Sequence, residues 1–99
     1  MSRVAQPVLF QLIITGNVYQ YSYRCSAGSL SFQDGGWCSL DLTPGRYDIT
    51  LIATIEDTSS IEITASLEGT LIGSCTVTGP GTNLTNTGDV DVPGTGQGH

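Results

Sequence analysis

The side chains able to do chemistry in this 99-residue chain are few. They are three cysteines, nine scattered carboxylates, three arginines and one histidine, His99, which is the last residue; there is no lysine. A nucleophilic cysteine needs a neighbouring base to hold its thiolate, and no interior histidine or lysine can serve. Cys25, Cys38 and Cys75 also lack zinc-ligand spacing. By parity all three fall on the apolar side of their strands, where a free thiol behaves as a small hydrophobe. One disulfide could form, with Cys25 and Cys38 the preferred pair because the ends of their strands could meet; the third cysteine is then unpaired. Glu56-Asp57, or Asp89 with Asp91, offer oxygen ligands to calcium, yet neither fits a recognised calcium loop. A glycosidase pair needs a cleft between two carboxylates, for which a domain this small has little room. The chain therefore reads as non-enzymatic, with no cofactor and no metal.

What is left is surface recognition. If Cys38, Leu40 and Leu42 face the core, Trp37 faces out together with Ser39 and Asp41. An outward tryptophan is a contact residue for sugars and proteins. With Asp34 in the preceding turn, these residues make a candidate binding site: Trp37, Asp34, Ser39 and Asp41. A bulge at Gly36 would instead turn Trp37 inward. Tyr19, Tyr21 and Tyr23 share one face and read as core lining, or otherwise as an aromatic strip for a ligand. Asn83-Leu84-Thr85 matches a glycosylation acceptor, which carries little weight without a secretory signal.

The elements that must position these residues are strands. Apolar and polar residues alternate with period two nearly throughout, and Thr, Val, Ile and Tyr dominate the runs. Strands are expected near residues 8–15, 18–25, 29–33, 36–42, 46–56, 60–68 and 70–78. Turns are marked by Gly16-Asn17, Asp34-Gly35 as a two-residue hairpin, Pro44-Gly45 as a type II turn, Asp57-Thr58-Ser59, and Glu68-Gly69. The runs 47–55 and 61–67 look like a core-facing hairpin. The expected fold is all-β, an antiparallel β-sandwich of about seven short strands, immunoglobulin-like or jelly-roll-like, with a small β-barrel as the alternative. Residues 44–51, Pro-Gly-Arg-Tyr-Asp-Ile-Thr-Leu, resemble the turn-and-strand of many immunoglobulin-like sandwiches. That resemblance implies architecture and no particular activity.

The first strand differs from the others. Val8, Phe10, Leu12 and Ile14 share one face while Leu9 and Ile13 lie on the other, so both faces want cover, from the chain itself or from a neighbouring subunit. Residues 79–99 are rich in Gly, Thr, Asn and Pro, with a brief Val90-Asp91-Val92 alternation. They read as a tail following a domain at residues 1–78, ordered by its own sheet or by assembly.

Charge narrows the partners. Charged residues are 12% of the chain and the net charge is −6. Such a surface repels nucleic-acid phosphates and anionic membranes, so neither is an expected partner. The run from Val8 to Ile14 is far short of the ~20 residues that span a bilayer, and no small-residue cleavage site follows it. The expectation is a protein made in the cytoplasm or associated with a virion, in preference to a Sec-secreted one. The leading reading is a structural or assembly subunit, of a capsid, tail or filament type, acting as a homo-oligomer or within a larger protein assembly. Leu9, Ile13, Val90 and Val92 are its candidate contact residues, joined by strand or tail exchange. The alternatives are a lectin-like or adhesin-like module centred on Trp37, with carbohydrate as ligand, and an acidic inhibitor or immunity-type protein that blocks a basic partner.

Overall fold

A computed structural model describes residues 5–32 and 36–94. It contains seven strands: β1 (Gln6–Thr15), β2 (Gln20–Cys25), β3 (Trp37–Leu42), β4 (Gly45–Ile55), β5 (Ser60–Leu67), β6 (Thr70–Thr78) and β7 (Gly81–Val92). All pairings are antiparallel, and they form one sheet in the order β2-β4-β7-β6-β5-β1-β3. The sheet curls into a half-barrel so that the inner face of β4 meets β5 and β6 across the core. The all-β antiparallel expectation is met, and the single curled sheet meets the barrel alternative in part.

The core follows from alternation. Ile49, Leu51, Ala53 and Ile55 of β4 are buried, as are Ile61, Ile63, Ala65 and Leu67 of β5. The two runs do not pair as a hairpin, because β7 and β6 lie between them in the sheet. They meet across the core because each turns a continuous apolar face inward. The β5–β6 hairpin is closed by Glu68 and Gly69, both at positive φ (53° and 83°), as a two-residue turn of matching twist requires.

Residues 79–94 belong to the domain and are not a tail after residue 78. β7 lies between β4 and β6 and pairs with β4 along nearly its whole length, from Gly45↔Val92 to Ile55↔Gly81. Its alternation is short in the sequence because its outward side chains are Thr, Asn and Asp, and because exposed Asn86 and half-buried Gly88 hold the register positions opposite Leu51 and Ile49. The ladder between β6 and β7 is thin: Gly73↔Val90 is its one register pair among the described residues. Two glycines allow the strands to cross closely here. A Cβ on Gly73 would press onto the Asp89 carbonyl oxygen, and one on Gly88 would press onto the Ser74 carbonyl. The sheet creases at this point.

Residues 29–32 are not a strand. After β2 the chain turns back through a bridge between Cys25 and Gly28, and Leu30 joins the core with Phe32 packed against it. The expected Asp34-Gly35 hairpin lies outside the described residues. Pro44-Gly45 joins β3 to β4, which are far apart in the sheet, so it turns the chain without making a hairpin.

Candidate functional site

The site begins at Gly36. Its φ is +76°, and a Cβ there would lie 2.7 Å from the Leu12 carbonyl oxygen. Only a glycine lets the chain enter β3 so close to β1, where the Leu12 amide donates to the Gly36 carbonyl at 2.7 Å. That contact sets the register Gln11↔Trp37, Leu9↔Ser39, Pro7↔Asp41. Cys38 and Leu42 are buried, Leu40 is half-buried, and Trp37, Ser39 and Asp41 point outward. No bulge inverts Trp37.

The pairing joins two features that the sequence shows separately. Trp37 stands directly across from Gln11 on the outer face, so Leu9 and Ile13, two residues either way along β1, are its diagonal neighbours. Diagonal neighbours lie ~7–8 Å apart, within reach of a large side chain. Trp37 is 47% exposed, Ile13 44% and Leu9 37%. Gln11 sits at the centre of this apolar triangle. Ser39 and Asp41 border it along β3, and Glu62, Thr64 and Ser66 border it along β5. The patch also reaches the end of the sheet. β3 has one ladder partner among the described residues, β1, so its other edge carries no strand pairing. Edge strands are commonly protected by lysine, proline or a bulge; β3 has none of these, and Asp41 is its one charge.

The other candidate residues fall elsewhere. Asp34 lies outside the described residues. Val90 and Val92 are 0% and 4% exposed; both point into the core from β7 and present no surface to a partner. Their alternation marked a buried strand, and an isolated Val-Asp-Val gives no sign of which face is covered. Tyr19 precedes β2 and is 72% exposed, so it lines no core. Tyr21 and Tyr23 stand across from Ala53 and Leu51, but β2 is the other end strand, and Tyr21 is exposed and Tyr23 half-buried. Tyr21 stacks on Tyr23 at 6.3 Å between ring centres, and Tyr23 meets Phe32 edge-on at 5.1 Å.

The charged groups are spread over the surface. Arg46 donates to Asp91 at 3.1 Å between well-exposed side chains, and next to this pair Asp48 faces Asp89 across β4 and β7. The Ser59 hydroxyl, and with it the Ser59 amide that donates at 2.8 Å, hold the Asp57 carboxyl below the usual range. Two of the expected calcium ligands, Asp91 and Asp57, are thus engaged in a surface ion pair and a turn. Among the described residues no three Asp, Glu, His or Cys side chains gather closely enough to hold a metal ion. Burial pushes the Cys25 and Cys75 thiols up.

Comparisons of the chain with protein-family models, with curated proteins and with solved structures found no match.

Proposed function

We propose that this chain is a non-enzymatic assembly subunit, of the capsid-, tail- or filament-associated kind, that joins protein neighbours through the outer face and free edge of β3. The observation that carries the reading is the meeting of Trp37, Leu9 and Ile13 on one exposed face, beside a strand edge with no ladder partner among the described residues. Apolar side chains would supply desolvation energy and the edge would supply backbone hydrogen bonds, the two components of strand addition. The partner that fits first is a second copy. In a two-fold antiparallel contact centred on Ser39, Trp37 of each copy lies opposite Asp41 of the other, and every outward side chain meets an outward one. We also read the crease between β6 and β7 as dividing the sheet into two layers, β2-β4-β7 and β6-β5-β1-β3, which is the sandwich description of this curled sheet.

The test is the native mass of the full chain by light scattering on a sizing column, beside Trp37→Ser and Ile13→Thr. Both substitutions keep strand-compatible residues on an exposed face. The expected result is a defined oligomer for the parent chain and monomers for the variants, with unchanged circular dichroism. Raising salt should strengthen self-association, because it screens the repulsion between copies that each carry −6. A parent chain that stays monomeric at all concentrations and salts overturns self-assembly. The second reading is favoured by the row Trp37, Ser39, Asp41, an aromatic platform followed by polar groups. It is a carbohydrate-binding module, and it expects Trp37 fluorescence to respond to glycans.

A further inference from the structure

We propose that Cys25 and Cys38 form an intramolecular disulfide that fastens the two end strands of the sheet when the protein meets a small-molecule disulfide oxidant. Cys25 is the last residue of β2 and Cys38 the second residue of β3, the strands at opposite ends of the sheet order. The curl brings the turn that follows β2 against β3. Cys25 is bridged to Gly28, and a Cβ on Gly28 would lie 3.9 Å from Leu40 Cδ1. Leu40 shares the inward face of β3 with Cys38. Both sulfurs are reduced and buried in one core cluster. Cys38 is also near enough to add its charge to the forces that raise Cys25.

The two cysteines are equally exposed, at 8% each, and a groove distinguishes Cys25. Cys25 lines a groove of about 300 Å³ together with Tyr23, Arg24, Gly28, Ser29 and Leu30, which gives an oxidant a path to its sulfur. The Ala27 and Gly28 amides favour its thiolate, against the larger effect of burial. Cys25 is therefore the entry point. Its thiolate attacks one sulfur of the oxidant, breaking that S–S bond, releasing one thiolate and leaving a mixed disulfide. The Cys38 thiolate then attacks the Cys25 sulfur and expels the second half of the oxidant. Two protein thiols are oxidised by two electrons, the oxidant is reduced to two thiols, and the two protons lost by the cysteines are taken up by the released thiolates. Cys75 takes no part: it lies on β6, where its thiol donates to the Asn86 carbonyl at 3.2 Å.

The experiment treats the folded full chain with oxidised glutathione and maps the products by mass spectrometry without reduction. Cleavage after Arg24 and Arg46 would leave both cysteines on one peptide, so a protease that cuts after Phe32 is used. The expected product is a monomer lighter by two hydrogens, with a Cys25–Cys38 link, a reduced Cys75 and a raised thermal midpoint. Cys75→Ala should form the same link, and Cys38→Ala should stop at a glutathione adduct on Cys25. A stable adduct on Cys25 of the parent chain, a link that includes Cys75, or links only between chains would overturn the proposal.

Discussion

Val90→Ala tests whether the last strand is part of the fold's core. Val90 is fully buried, faces Tyr47 on β4 and makes the Gly73 pairing on β6. The substitution removes two methyl groups, worth about 0.8 kcal/mol each in lost transfer energy. The neighbouring β6 position is a glycine that approaches Val90 closely, so no side chain is present there to relax into the hole. A cavity cost is added, and the total should reach about 2–3 kcal/mol. For a domain of this size each kcal/mol lowers the thermal midpoint by roughly 4–8 °C, so the midpoint should fall by roughly 8–24 °C. The assay is urea unfolding followed by far-ultraviolet circular dichroism, with Thr82→Ala as an exposed control on the same strand. The control should lie within about 0.5 kcal/mol of the parent. If Val90→Ala were as mild as the control, residues 81–92 would be a peripheral tail, and β7 would not lie between β4 and β6.

Three further outcomes are expected. Gly36→Ala places a methyl group against the Leu12 carbonyl at a positive φ, and should cost about 1–3 kcal/mol while also weakening any association through β3; urea unfolding and native mass read the two effects. Cys25 and Cys75 have folded-state pKa values above their ordinary 9.0, so the unfolded chain loses these protons first; stability should be intact below about pH 9 and decline as pH rises beyond it, and Cys75→Ala should flatten part of that decline in thermal melts. Asp57 has the opposite sign: its contribution is present above its ordinary pKa of 3.8 and fades as pH falls below it, so Asp57→Asn should show a weaker acid dependence.

Much of the local structure is legible in the order of residues alone. Period-two alternation locates every strand but β7 to within about two residues, and parity sends Cys25, Cys38 and Cys75 inward and Trp37 outward, because successive side chains in a strand must point to opposite faces. It also shows that Leu9 and Ile13 need cover on a second face. Alternation cannot reveal β7, whose Asn86 and Gly88, opposite Leu51 and Ile49, break the pattern, nor reject a strand at residues 29–32, which alternate although they form none. Strand order is beyond its reach. β1 pairs with β3 and β5, β2 with β4, and the run 47–55 is separated from 61–67 by two strands, none of which a turn residue encodes. Only the folded sheet puts Trp37 beside Leu9 and Ile13, and only it turns Val90 and Val92 from surface candidates into core. The physical reason is that alternation fixes which face a residue occupies, whereas the neighbour on that face depends on pairing between strands distant in the chain, chosen by how the whole apolar surface can close.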